Sequence, residues 1–117
     1  MTLRRIPPAT CAALALALPL LVAADPKEDG PHGDSGRGKR AFFTTAACSG
    51  CHTVHGRGGK LGPDLSHAGK AHDAAWFAAK IYNPRLGRPE TIMPSAADLG
   101  LNERTVADLA AYLGTLE

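Results

Sequence analysis

Apolar positions fall into four stretches, separated by runs that are polar or rich in Gly and Pro. The first, Ile6 to Ala24, is uncharged and Ala/Leu-rich. It follows Arg4 and Arg5, ends in Val22-Ala23-Ala24 and turns polar at Asp25. A basic start, a short apolar middle and a small-residue exit predict a secretory signal peptide over 1–24. The alternative is an uncleaved membrane anchor, but Pro7, Pro8 and Pro19 interrupt the run. Cys11 lies ahead of the main apolar stretch, which argues against a lipid-modified cysteine. From Asp25 to Arg40 there is no aliphatic or aromatic side chain, so this segment cannot bury apolar surface. A flexible polar tail is expected over 25–35, leading into one folded domain over 36–117.

Helical patterning dominates that domain. No period-2 apolar run is long enough to found a sheet. A short helix is predicted over Gly38–Ala47 with Phe42 and Phe43 as apolar anchors, weakened by Thr44 and Thr45. A second starts near Asp73 as its cap, carries Trp76, Phe77 and Ile81, and stops before Pro84. The third is the clearest: Asn102 caps it, and Val106, Leu109, Ala110 and Leu113 form one stripe at i, i+3, i+4 and i+7. Two long loops, Thr53–His72 and Asn83–Leu101, lie between these helices. Loops of that length in a small domain need something to hold them.

Composition sharpens the picture once residues 1–24 are set aside. Of 117 residues, three are Cys and two are Met, and the formal net charge is +2. Removing 1–24 takes away Arg4, Arg5, Cys11 and Met1. The charge then balances, and only Cys48, Cys51 and Met93 remain of their kinds. The charge is too small for a nucleic-acid footprint. With aromatic residues at 5% the core is thin, and such domains usually need a staple. Export places the chain in the periplasm, an oxidising compartment.

Cys48-Ser49-Gly50-Cys51-His52 is a C-x-x-C-H sequence, which reads as a covalent haem c attachment site, one haem and one iron per chain. Two thiols three residues apart reach two vinyl groups, and the adjacent imidazole serves as the proximal iron ligand. A thioredoxin-like pair would expect a βαβ context. A zinc site would need two further ligands, and a Cys48–Cys51 disulfide would close a very small loop. For the sixth iron ligand, Met93 in Thr91-Ile92-Met93-Pro94 is the one Met left. His/Met ligation is a common haem arrangement. His67 and His72 are the competing ligands, while His55 and His32 read as exposed. In Gly62-Pro63-Asp64-Leu65, Pro63 lacks an N–H but offers a rigidly placed carbonyl, the natural acceptor for the second imidazole N–H.

Taken together, these elements resemble a class I (mono-haem) cytochrome c. The matching residues are Gly38–Phe43, Cys48–Thr53, Gly62–Leu65, Trp76, Asn83-Pro84, Met93-Pro94 and Ala111–Leu113, in family order. Their spacing is similar to cytochrome c domains fused to subunit II of haem–copper oxidases. The resemblance implies an all-α fold with three main helices and long loops around the haem. It further implies that the first and last helices cross near Phe43 and Tyr112, and that Pro63 holds His52. Phe43 departs from the pattern, lying five residues before Cys48 where many members have four.

Iron held by both His52 and Met93 has no open position, which describes an electron-transfer protein and not an enzyme. The expected role is a periplasmic one-electron carrier between respiratory or dehydrogenase partners, with a terminal oxidase or a dehydrogenase as candidate redox partners. Membrane association follows only if the N-terminal segment is retained. Thr53–Met93 carries Arg57, Lys60, Lys70, Lys80, Arg85 and Arg88 against three acids, a basic excess suited to an acidic partner. Two rival readings stand beside this one. The chain is the haem subunit of a larger exported oxidoreductase complex, or it is a haem enzyme or gas-binding protein with a displaceable sixth ligand.

Overall fold

The computed structural model describes residues 32–117; the expected signal peptide over 1–24 and most of the 25–35 tail lie outside the described residues. Three helices carry the fold, and the C-terminal one is its spine. This helix, α3, spans Glu103–Gly114 and is capped by the Asn102 side chain, which accepts from the Thr105 N–H at 2.9 Å. Its stripe of Val106, Leu109, Ala110 and Leu113 is buried throughout, as the periodicity predicts.

The middle helix, α2, spans Ala74–Tyr82, begins at the Asp73 cap and ends at Asn83 ahead of Pro84. Phe77 and Ile81, one turn apart, face the core, whereas Trp76 is 42% exposed. Trp76 is offset by one position, about 100° round the helix, and falls outside that face. Its indole is instead covered by the His72 ring, stacked at 3.5 Å and 6°.

The first helix, α1, spans Ser35–Phe43, starting and ending earlier than the Gly38–Ala47 expected from the apolar anchors. Asp34 caps it, its carboxylate accepting from the Arg37 N–H at 2.7 Å. Two glycines in nine residues make this segment a poor helix former, so packing must supply what propensity does not. Gly38 shows how: a Cβ there would stand 1.9 Å from the Asp108 carbonyl oxygen and 2.8 Å from the Tyr112 Cβ. The two helix backbones meet with no side chain between them. One turn further on, Phe42 is 1% exposed and meets Tyr112 edge-on at 5.7 Å. The crossing expected at Phe43 therefore belongs to Phe42. Phe43 is half-buried, packs edgewise on Phe42 and lies under the Arg57 guanidinium at 4.5 Å.

The polar segment before Phe42 also contributes an anchor that its composition did not suggest. Asp108, 4% exposed, accepts from the Asp34 N–H at 2.6 Å and from Arg37 Nε and Nη2 at 2.8 and 3.0 Å. Burial works to raise the Asp108 pKa. The Arg37 and Asp34 hydrogen bonds outweigh it, helped by the positive charges of Arg37 and Arg104, and hold the carboxyl below its ordinary value.

The β-structure of the described residues is a two-stranded antiparallel ribbon, β1 (Thr53–Val54) with β2 (Arg57–Gly58), pairing Thr53 with Gly58 and Val54 with Arg57. The rest is turns and loops, so the described domain is a small all-α fold.

Arg37→Ala strips a charged partner from a buried carboxylate and should cost about 2 kcal/mol in guanidinium unfolding. Asp108 is depressed below its unfolded pKa of about 3.9, so its contribution is present above that value and is lost as pH falls through the folded one. Without Arg37 the acid-unfolding midpoint, followed by far-UV circular dichroism, should move to higher pH.

Candidate functional site

Residues 48–52 form a tight turn between α1 and the ribbon. Ala47, left-handed at φ +52, opens a single 3₁₀ turn over Cys48–Gly50. The N–H groups of Cys51 and His52 then both return to the Cys48 carbonyl, at 3.2 and 3.0 Å. Both cysteines are half-buried, and no disulfide joins them. Burial pushes the Cys48 thiol up to about 11, and its Sγ–H points at the Ala46 carbonyl at 3.8 Å. A reactive redox pair depends on a depressed thiol pKa, so this environment opposes the thioredoxin-like alternative. A closed zinc site finds no support either: no group of three or more His, Cys, Asp or Glu among the described residues could hold a metal ion.

The ribbon and the loop behind it clamp this turn. Its two central residues, His55 and Gly56, have φ +48 and +77, the left-handed pair that a two-residue type I′ hairpin requires. Gly59 N–H donates to the Ser49 carbonyl at 2.8 Å, and the Thr53 hydroxyl donates to the Gly59 carbonyl at 2.7 Å. Gly62 N–H reaches the Cys51 carbonyl at 2.8 Å, and Leu65 N–H the Thr53 carbonyl at 2.9 Å. Ser66, buried, receives the His55 N–H on its hydroxyl at 2.8 Å. The Ser66 hydroxyl and N–H both donate to Asp64, holding that carboxyl below its ordinary value, with His67 and His55 adding to the effect.

Within this clamp, His52 Nδ1 lies 2.8 Å from the Pro63 carbonyl oxygen. A carbonyl only accepts, so Nδ1 carries the proton and Nε2 keeps its lone pair free for a metal. Cys48, Cys51, His52 and Pro63 are thus brought together in one assembly. Met93 comes from a separate loop. It is half-buried, and its N–H donates to the Thr91 hydroxyl at 3.2 Å. Just beyond it, Ser95 N–H donates to the Asp98 carboxylate at 2.9 Å and Ala96 N–H to the Ile81 carbonyl at 2.9 Å, tying the loop to the end of α2. Of the competing imidazoles, His72 is stacked on Trp76, while His67 is exposed and meets His55 edge-on at 6.4 Å. The role of Gly62 escaped the sequence reading: the His52 ring lies against its Cα. The density of glycines after the motif was the one available signal.

The profile of the family described as cytochrome c matches residues 35–117. The chain belongs to the cytochrome c family. Its domain is therefore a haem-based electron-transfer domain, with Cys48 and Cys51 in the position through which the family binds its covalent c-type haem. Among solved structures, this cytochrome is similar to the crystal structure of SoxXA from P. pantotrophus, at 23% sequence identity and a TM-score of 0.66, covering 74% of this chain and 84% of that one. At that identity the likeness shows the fold alone. No curated protein matches the sequence. The finer likeness to domains fused to oxidase subunit II finds no support in these comparisons.

The residues present fit the group. Two thiols and an imidazole with a free Nε2 lie in one turn. Two large apolar side chains stand beside the axial candidates: Leu61, next to the glycine under His52, is 71% exposed, and Ile92, next to Met93, is 77% exposed. A flat apolar macrocycle would cover surface of this kind.

The hairpin gives a direct check on how this cytochrome builds its clamp. His55→Val forces a β-branched residue into the left-handed region and should cost about 1–2 kcal/mol of thermal stability. His55→Asn should leave the melting temperature nearly unchanged.

Proposed function

We propose that this cytochrome is an exported, periplasmic one-electron carrier in which His52 and Met93 hold the iron of a haem attached through Cys48 and Cys51. The observation that carries the reading is the His52 Nδ1–Pro63 hydrogen bond, which fixes the tautomer and leaves Nε2 available as a ligand. When bound, the haem supplies a one-electron couple. Everything else would be the work of the chain: Cys48 and Cys51 would anchor the group, His52, oriented by Pro63, would bind the iron, and Met93 would supply the second protein ligand. The tie of Ser95 and Ala96 to Asp98 and α2 supports Met93 in that role, because a thioether binds weakly and gains from a loop that is already placed. The stacking of His72 on Trp76 occupies one of its rivals.

Redox encounters use small interfaces. Lys60, Arg85 and Arg88 are exposed on the loops that carry Leu61 and Met93, which suits an acidic redox protein such as a dehydrogenase or an oxidase.

An absorption spectrum of the exported protein, oxidised and reduced, with and without carbon monoxide, tests the ligation. The wild type should be low-spin and inert to carbon monoxide. Met93→Ala should bind carbon monoxide and show a lowered reduction potential; a variant spectrum identical to the wild type would remove Met93 from the iron. Replacing Arg85 and Arg88 together by Glu should slow electron exchange with an acidic partner at low salt. Rising ionic strength should narrow the difference from wild type.

A further inference from the structure

We infer that Gly62 is a positioning residue for His52: by carrying no side chain it lets the imidazole lie flat on its Cα, and so fixes the rotation of the ring. The inference rests on the axial role of His52 proposed above. A Cβ at position 62 would stand 2.6 Å from Cε1, 2.8 Å from Nδ1 and 3.1 Å from Nε2 of that ring. An approach in the ring plane from the Cε1 edge would leave both nitrogens farther away, so the contact is with the face. The Pro63 carbonyl meets the same ring at its Nδ1 edge. One peptide segment therefore sets both remaining degrees of freedom of the imidazole, its face through Gly62 and its edge through Pro63.

The backbone has little room to yield to an added methyl. On one side, Gly62 N–H is bonded to the Cys51 carbonyl at 2.8 Å, inside the motif that His52 ends. On the other, Pro63 locks its own φ. The ring is the part that turns, and a ring that turns leaves the Pro63 carbonyl. Hydrogen bonding at Nδ1 raises the basicity of the ligating nitrogen. A displaced ring is thus a weaker donor through Nε2, and weaker donation favours the ferrous state. Gly50 supplies the control: it lies in the same motif, and a Cβ there meets nothing within 4 Å.

The test compares holoproteins carrying Gly62→Ala or Gly50→Ala with the wild type. Gly62→Ala should shift the reduction equilibrium toward ferrous by about tenfold, equivalent to about 59 mV for one electron. It should also speed solvent exchange of the His52 Nδ1–H, read by proton NMR, by about tenfold or more. Gly50→Ala should move neither. A Gly62→Ala protein with wild-type potential and exchange would overturn the inference. Should that variant fail to assemble, the wild type decides alone: a nuclear Overhauser contact between a Gly62 Hα and His52 Hε1 is required, and its absence overturns the proposal. If His52 is not an iron ligand, the wild-type spectrum fails to be low-spin whatever Gly62 does, so the two failures are distinct.

Discussion

The close approach of α1 to α3 at Gly38 is the constraint on which the rest of the structure hangs. Because no side chain separates the backbones there, Phe42 reaches Tyr112 one turn later, and Ala46 is buried just before the turn that holds the cysteines. The helix could not hold this position by propensity, since short helices are marginal alone and glycine weakens them further. Its axial register is set by charge instead. Asp34 N–H and the Arg37 fork converge on one buried carboxylate. Sliding α1 along α3 would leave Asp108 buried and unpaired, a penalty of about 3–5 kcal/mol. The start of the haem-binding turn is placed by that pairing.

A second constraint concerns the long loops, which bury little apolar surface and would be expected to wander. Both are tied at points next to the residues that matter. The loop after His52 is stitched to the motif through Gly59, Gly62 and Leu65, and closed on itself through Ser66 and Asp64. The loop around Met93 is fastened to α2 through Ala96 and closed by the Ala96 carbonyl accepting from Leu101 N–H at 2.9 Å. Backbone hydrogen bonds thus do here what a core does elsewhere, which is why a chain so poor in aromatic residues can present its site on loops.

How much of this was legible depended on whether the controlling physics was local. The caps Asp73 and Asn102, the stripe of α3 and the C-x-x-C-H motif are read within a few residues, and α2 and α3 stand where the pattern put them. The carbonyl of Pro63, in the first long loop, was legible for a related reason: proline fixes its own backbone. The start of α1 was not, because Ser35–Arg40 looks like a solvated tail until Asp108, 71 residues beyond Arg37, supplies a partner. The Phe42/Phe43 choice failed likewise, since neighbouring phenylalanines differ only in which one the Gly38 contact turns inward. The face of His52 on Gly62 involves a missing side chain, and a glycine in a loop announces turns far more often than contacts.

The basic residues between Thr53 and Met93 gain meaning from the same distinction between local and committed groups. Counted along the sequence, Arg57, Lys60, Lys70, Lys80, Arg85 and Arg88 look equivalent. In the structure Arg57 is spread over Phe43, and Lys80 donates to the Leu86 carbonyl at 2.6 Å, so each also serves the fold. Arg85 feels the Asp98 carboxylate that closes the Met93 loop, while Lys60 borders Leu61 and Arg88 accepts the Thr91 N–H on its carbonyl at 3.1 Å. A field acting on an approaching partner is long-ranged and screened by salt, whereas a packed cation or a carbonyl contact is short-ranged and barely screened. Any steering by this domain is the summed field of its charges, to which the exposed guanidinium and ammonium groups contribute most. Arg57 and Lys80 keep their charge and add to that field, and they also maintain the local geometry through their contacts.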